Sequence, residues 1–193
     1  MKTLIINTAL FILVFSSGLM SQDFDFRNTS WGMDSIQVKK AETTKLVFSK
    51  KNSLVYNGKL GELETRIVYN FNTSKQLFSA SYIITLSGME SNNPMYYLNN
   101  FRVLQDLLTQ KYKEPYKKAN ANIGGKGAKQ EEWANNFISD NRTLESKWKT
   151  GRTNIILSLY SINDALCIEI IYTSLENNIS EDQKNKEEIL KGL

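Results

Sequence analysis

Hydrophobic and polar residues alternate in two separate stretches of the chain, and each stretch predicts a run of short β-strands. Polar turn sequences separate neighbouring strands within each run, which predicts antiparallel pairing. The first run is expected at residues 46–48, 54–56, 67–71 and 77–85, and the second at residues 144–148, 155–159 and 166–173.

Two details of the first run are specific enough to be checked. The dipeptide Asn57-Gly58 favours the backbone angles of a two-residue hairpin, so it predicts a turn directly after the second strand. In the fourth strand, one face is clearly more apolar than the other and is expected to point into the core. That face carries Phe78, Ala80, Tyr82 and Ile84.

A short helix is predicted at residues 35–42 by the signals at its start. Asp34 can accept hydrogen bonds from the first unpaired backbone N–H groups, and Gln37 three residues later completes a capping box. Met33 and Val38 occupy the two positions of a hydrophobic staple, which fixes the direction in which the chain enters the helix.

A longer helix is predicted to begin at Pro94, which suits the first helical position, and to end before Pro115. Asn93 is the expected N-cap. The apolar residues recur every three or four positions and form a stripe that can pack on a sheet. The stripe consists of Tyr97, Phe101, Leu104 and Leu108.

The C-terminal segment 176–193 predicts a third, highly charged helix, because Ser180 and Gln183 form another capping-box pattern. The order helix, strands, helix, strands, tail helix is typical of an α+β fold. We therefore expect an antiparallel sheet of six to eight strands that helices cover on one face. One domain over residues 22–175 suits the length, and the repeated order leaves two similar halves, 22–90 and 91–175, as an open alternative.

The first 21 residues have the composition of a secretory signal peptide. Lys2 supplies a positive charge, residues 4–15 are largely apolar, and cleavage is expected between Ser21 and Gln22. The apolar stretch is short for a membrane span, and an uncleaved anchor is the alternative. Frequent Asn and Lys beside few Ala are typical of AT-rich bacterial genomes. We expect an exported bacterial protein, periplasmic or extracellular, without a transmembrane segment in the mature chain.

The absence of histidine excludes more functions than any other feature of the composition. The 193 residues include no His and one Cys, Cys167, which lies in an apolar run and is expected to be buried and inert. Nucleophilic sites that need imidazole cannot form, and one Cys permits neither an intrachain disulfide nor a Cys cluster. Losing Lys2 with the leader reduces the 24 Lys and Arg residues by one against 20 Asp and Glu, a balance too even to predict nucleic-acid binding. No cofactor or metal is expected.

The sequence Phe26-Arg27-Asn28-Thr29-Ser30-Trp31-Gly32-Met33 follows the predicted leader. It resembles the opening of small exported bacterial proteins of unknown function that begin with an F-R-x-x-x-W-G-M pattern. Tyr69-Asn70-Phe71 matches a later Tyr-x-Phe strand of those proteins. The layout is also similar to that of BamE-type outer-membrane assembly lipoproteins and secreted β-lactamase inhibitory proteins. The second resemblance implies helices on an antiparallel sheet and binding to other proteins. The lipid-bearing Cys of the assembly lipoproteins is absent, so their membrane anchoring is not implied.

Candidate binding residues lie in the opening segment and in a lysine-rich segment. Trp31 can stack on a ligand or close one end of the core, with Gly32 allowing the turn into the helix. Residues 111–129 predict a solvated loop, or a contact with an anionic surface, a lipid headgroup or an acidic partner. The lysines of this segment are Lys111, Lys113, Lys117, Lys118, Lys126 and Lys129.

Aromatic and acidic residues provide the other candidates. Four aromatic residues can form an exposed interface patch or pack in the core as strand residues: Trp133, Trp148, Tyr160 and Tyr172. Acid-based catalysis needs two carboxylates in one cleft, and nothing in the sequence spacing forces such a pair. The candidate acids are Glu131, Glu132, Asp140, Asp164 and Glu169.

Binding of another envelope or secreted protein through the face of the sheet is the function that these observations favour. The alternative is a carrier of a small apolar ligand or lipid, held between the second helix and the sheet. A carboxylate-based hydrolase is a third hypothesis.

Overall fold

The computed structural model describes residues 24–84, 94–120, 132, 136–137, 142–162 and 165–176. Within these residues the chain forms two helices, α1 (Ser35–Ala41) and α2 (Pro94–Tyr112). The strands are β1 (Lys45–Lys50), β2 (Ser53–Leu60), β3 (Leu63–Phe71), β4 (Leu77–Ile84), β5 (Leu144–Lys149), β6 (Thr153–Ile162) and β7 (Ala165–Ser174). The leader 1–21 and the tail helix expected from 176 lie outside the described residues, apart from residue 176 itself.

All seven described strands belong to one antiparallel sheet, in the order β1-β2-β3-β4-β7-β6-β5. The two runs of strands form separate meanders, and the last strand of each run pairs with the other, for example Tyr82 with Ile170. The α+β class and the expected number of strands are confirmed. Similarity between the two halves of the chain stays a prediction.

The sheet has an inner face, which both helices cover, and an opposite outer face. One row of the inner face consists of the buried register partners Ile67, Tyr82, Ile170 and Leu157. These residues join Val38 of α1 and the buried stripe of α2 in one hydrophobic cluster. Among the described residues, both helices thus contribute to one core on one side of the sheet.

The start of α1 has the predicted geometry. The Asp34 carboxylate accepts hydrogen bonds from the backbone N–H groups of Ile36 and Gln37, and the Gln37 side chain accepts from the Asp34 N–H. Val38 is fully buried and Met33 packs against the core, which agrees with the predicted staple. This cap fixes where the helix begins and how the preceding segment approaches it.

The apolar stripe predicted for the longer helix is buried. The helix begins at Pro94 and ends at Tyr112; its expected cap, Asn93, lies outside the described residues. No helix in the described parts of the chain combines the length and apolar composition needed to cross a membrane.

The turn predicted at Asn57-Gly58 is wrong. Both residues lie within β2, where Gly58 pairs with Thr65, and the chain turns three residues later at Gly61, which has a φ of 61°. Position 58 has no room for a larger side chain, because a Cβ atom there would lie 2.6 Å from Cδ1 of the buried Ile67. The glycine allows close packing in the sheet and does not form a hairpin turn.

The expected inward face of the fourth strand is wrong at one position. The register between β3 and β4 shifts next to Phe71, which pairs with Leu77. As a result Leu77 is fully buried and Phe78 is only partly buried, whereas Ala80, Tyr82 and Ile84 face the core as predicted. An irregularity that inserts one residue reverses the side-chain alternation beyond it.

Candidate functional site

The opening segment, residues 24–34, lies across the inner face of the sheet. Phe26 is buried, and its ring centroid lies 5.5, 4.9 and 5.1 Å from those of Tyr69, Tyr82 and Tyr172. Three neighbouring strands supply these tyrosines, so a single side chain anchors the segment to the centre of the sheet. Aromatic contacts at such separations add stabilisation beyond their buried area.

Arg27 follows directly and forms a two-pronged ion pair with Glu42 at the end of α1. Its Nε donates to Oε2 at 2.8 Å, and its Nη2 donates to Oε1 at 3.2 Å. The Glu42 side chain is 1% exposed and also accepts from the Tyr69 hydroxyl at 2.5 Å and the Thr44 backbone N–H at 2.9 Å. The carboxylate thus connects the opening segment, α1 and β3.

These contacts determine the protonation state of Glu42. Burial by itself raises the pKa of a carboxyl group, but hydrogen bonds from Tyr69, Thr44 and Arg27 outweigh burial and hold the Glu42 pKa below its ordinary value. Burial raises the pKa of Tyr69, and its hydrogen bond to the carboxylate raises it further. Glu42 is therefore charged and Tyr69 is neutral at neutral pH.

Trp31 ties the opening segment to the second half of the sheet. Its indole N–H donates to Oγ1 of Thr153 at 2.9 Å, and its backbone N–H donates to the Asp25 carboxylate at 2.9 Å. Gly32 has a φ of 89°, a conformation that favours glycine, and donates to the backbone carbonyl of Leu77. Trp31 packs against the core, which is the structural alternative given for it above.

A cleft of about 610 Å³ lies beside this segment, above the inner face of β4 and β7. Its walls are the opening segment, the end of α2 and the turn between β5 and β6. Side chains that line the cleft and bear donor groups include Arg27, Tyr82, Lys111, Tyr112, Arg152 and Tyr172, together with the hydroxyls of Thr150 and Thr153. Of the candidates named from the sequence that the structure describes, Lys111 and Tyr172 line it. The cleft joins parts of the chain that are far apart in sequence, so no local pattern could have indicated it.

The structure corrects the expectation of an exposed aromatic patch. Trp148 is 1% exposed on the inner face, where its indole N–H donates to the Lys113 carbonyl. Tyr172 is also buried on the inner face, whereas the register of β6 places Tyr160 on the outer face. Trp133 lies outside the described residues. Burial therefore removes Trp148 and Tyr172 from an exposed patch, and strand alternation places Tyr160 on the opposite face from them.

The lysine-rich segment is described only in part. Lys117 and Lys118 are exposed, whereas Lys126 and Lys129 lie outside the described residues. Lys117 pairs with Glu145 at 3.7 Å, and its backbone pairs with Lys147 at the edge of the sheet. Contact of this segment with an anionic surface stays a prediction.

The candidate acids are not gathered in a described cleft. Glu169 lies on the outer face of β7 and accepts from the Tyr160 hydroxyl at 3.2 Å. Glu169 and Glu145 lie in one row of the outer face, with Ser158 between them. Glu145 forms an ion pair with Lys147 at 2.9 Å. That lysine holds the pKa of Glu145 below its ordinary value, the opposite of what a general acid needs. Glu132 is exposed, and the positions of Glu131, Asp140 and Asp164 lie outside the described residues.

Strand β1 is a candidate interaction site that sequence analysis missed. It pairs with β2 only, within the described chain, and every residue in it is exposed. Leu46, Val47 and Phe48 are 40%, 54% and 45% exposed. The pattern of three apolar residues predicted a strand here, but the pattern of one strand does not reveal whether it lies at an edge of the sheet.

A scan against protein-family models found no matching family, and comparisons with curated proteins and with solved structures found no match. The two resemblances noted from the sequence stay predictions. The functional argument therefore depends on the geometry of the described residues.

Proposed function

We propose that this chain is an exported, non-enzymatic protein that binds another envelope or secreted protein through the outer face of its sheet and the adjoining edge at β1. The exposed apolar edge strand is the observation that carries this proposal. Export is supported by the leader-like sequence of residues 1–21, and a non-enzymatic role by the lack of histidine.

The outer face offers a row of apolar side chains that one buried serine, Ser81, interrupts. Register partners carry it from β1 across the sheet to β6: Phe48, Val55, Val68, Ser81, Ile171 and Ile156. Four of these side chains are partly exposed rather than buried, and Phe48 is 45% exposed at the end of the row. Both described helices lie on the inner face, so neither of them covers this row, and a partner can reach its partly exposed side chains.

The edge at β1 adds backbone hydrogen-bonding groups to this surface. A strand at the edge of a sheet presents unpaired N–H and C=O groups, to which an extended segment of another protein can pair. The opposite edge is partly occupied, because the Lys147 N–H donates to the Lys117 carbonyl at 2.7 Å and the Tyr116 N–H donates to the Lys147 carbonyl at 3.0 Å. Of the two edges, β1 is therefore the better site.

Charge indicates what kind of segment fits. Between residues 35 and 61 the only acidic residue is Glu42, which is buried in its ion pair. The lysines of the same stretch are all exposed: Lys39, Lys40, Lys45, Lys50, Lys51 and Lys59. An extended segment with acidic flanks complements this edge.

A second copy of the chain fits the edge less well. If two β1 strands paired antiparallel about their centre, Lys45 of one copy would lie opposite Lys50 of the other. Like charges directly across a strand pair are destabilising. The partner is therefore proposed to be a different protein.

The alternative, an apolar ligand held between α2 and the sheet, has less support. Tyr97, Phe101 and Leu104 are at most 5% exposed and fill that space as part of the core. The described cleft lies beyond this region, at the end of α2, and cationic and hydroxyl groups line it. Such a lining suits a polar ligand better than a hydrocarbon chain.

Cell fractionation followed by site-specific photocrosslinking tests the proposal. A photoreactive amino acid replaces Val47 in β1 or, as the control, Val103 on α2; the two valines are 54% and 56% exposed. We expect the protein outside the cytoplasm and one discrete adduct with another protein at Val47 only. Adducts of equal yield at both positions, adducts with the chain itself, or retention in the cytoplasm would contradict the proposal.

The adduct partner is then purified and its affinity measured directly. Val47→Lys is expected to weaken binding about tenfold or more, since it places a charge in the apolar centre of the edge, whereas Val103→Lys leaves it unchanged. Circular dichroism establishes that both variants are folded. Equal affinities for the two variants would exclude β1 as the binding edge.

A further inference from the structure

The groups that face the 610 Å³ cleft are mainly hydrogen-bond donors. Arg27, Lys111 and Arg152 contribute three cations, and among the described residues the only carboxylate in its lining is that of Asp25. That carboxylate is 6% exposed and already accepts from the Trp31 backbone and the Arg152 guanidinium, the latter at 3.2 Å. Both contacts are made to Oδ2, so the Asp25 carboxylate is partly occupied, and the three cations outnumber it.

Lys111 is the cation without an acidic partner. Among the described residues it pairs with no carboxylate, and its ammonium lies 5.1 Å from the ring centroid of Tyr112. Arg27 and Arg152 are each balanced by one carboxylate, so the positive charge of Lys111 is the net charge at the mouth of the cleft. An anion bound there gains one uncompensated ion pair.

The floor of the cleft is aromatic. Tyr82 and Tyr172 lie side by side on β4 and β7, with ring centroids 6.5 Å apart, and Tyr112 of α2 contacts Tyr172 at 6.4 Å. Burial raises the pKa of both Tyr82 and Tyr172, so their hydroxyls stay protonated. Phe26 already packs against these two buried rings, so the floor contacts a planar apolar group mainly through the partly exposed Tyr112.

We propose that this cleft binds a small oxyanion-bearing molecule, with the oxyanion at Lys111 and Arg152 and an apolar body over the tyrosine floor. The cleft volume falls within the range of small-molecule sites, roughly 300–1,000 Å³. This site lies on the inner face and is separate from the outer surface and β1 edge of the proposed function. A failure of either proposal leaves the other intact.

Nuclear magnetic resonance titration of the mature chain tests this proposal with three probes. Benzoate carries an oxyanion and a ring, inorganic phosphate carries an oxyanion alone, and benzamide is the neutral counterpart of benzoate. We expect saturable benzoate shifts at residues 111–112 and 150–153, with benzamide at least about tenfold weaker. Phosphate is expected to shift the same residues more weakly than benzoate, because it lacks the ring.

Variants assign the charge requirement. Lys111→Gln is expected to weaken benzoate about tenfold, Lys111→Arg to restore binding, and Lys118→Gln, which changes an exposed lysine outside the cleft, to have no effect. Unchanged thermal unfolding of Lys111→Gln separates lost binding from lost folding.

Three results would overturn the proposal. They are no saturation by benzoate or phosphate up to about 10 mM, equal affinity for benzoate and benzamide, and equal benzoate affinity in wild type and Lys111→Gln.

Discussion

Arg27 and Glu42 form an ion pair across fifteen residues of sequence, with a buried carboxylate, a partly exposed guanidinium and two hydrogen bonds of 2.8 and 3.2 Å. The pair joins the opening segment to the residue that ends α1, and Tyr69 brings the central sheet into the same cluster. Arg27 adopts a φ of 51°, which is uncommon for a residue with a side chain. The Glu42 carboxylate therefore fixes the position of the charged side chain of Arg27, whose backbone is strained.

Glu42→Gln is expected to destabilise the fold by about 3 kcal/mol, because it leaves the Arg27 guanidinium without its counter-charge in a largely buried position. Urea unfolding of the purified protein gives the free energy of unfolding. Glu64→Gln is the matched control, since Glu64 pairs with Lys59 at 3.0 Å on the open surface. The control should unfold as the wild type does, and equal losses in the two variants would contradict a special role for the buried pair.

Stability should decrease below about pH 4.5, the ordinary pKa of a glutamate. The folded-state pKa of Glu42 is lower than that value, so folding favours the charged form. Its contribution is complete above pH 4.5 and is lost as the pH falls through the lower folded-state pKa. Urea unfolding at a series of pH values should show a shallower acid decrease for Glu42→Gln than for wild type. Parallel curves for the two proteins would exclude Glu42 as a source of the acid sensitivity.

Gly58→Ala should lower the free energy of unfolding by about 1–2 kcal/mol. Its new methyl group would lie 2.6 Å from Cδ1 of Ile67, a side chain that is fully buried. Ile67→Val removes the clashing atom, so the double variant should lose less than the sum of the two single losses. Gly151→Ala is the control, since nothing lies within 4 Å of the added atom. Additive losses in the double variant would show that the steric explanation is wrong.

Local sequence signals predicted the helices and strands. They did not predict which side chains meet across neighbouring strands. The capping box at Asp34 and the apolar stripe of α2 both depend on residues at most four positions apart, so both can be recognised in the sequence. The role of Gly58 was predicted wrongly because the side chain that leaves no room for a Cβ atom there belongs to Ile67, on the next strand. Phe78 was misplaced because one irregular pair beside Phe71 reverses the alternation.

The candidate sites depended still more on long-range structure. The motif from Phe26 to Met33 was noticed in the sequence, yet its physical role requires Glu42, Tyr69 and Thr153, which only the fold brings to it. The sequence left Trp148 either in an exposed patch or in the core, and the tertiary structure buries it beneath the end of α2. The β1 edge follows from the strand order, which pairs the last strand of each run and leaves the first exposed.

Cys167 should react slowly with thiol reagents in the native protein. The side chain lies on the outer face but is 5% exposed, and burial raises its pKa despite a hydrogen bond from Tyr160. Both effects reduce the accessible thiolate, so labelling by iodoacetamide should be at least about 100-fold slower than in urea. If labelling requires unfolding, Glu42→Gln should accelerate it in proportion to its loss of stability. Val47→Cys in a Cys167→Ser background provides an exposed thiol that should label rapidly without denaturant. A native Cys167 that labels as fast as this exposed thiol would mean that the outer face near β7 opens readily.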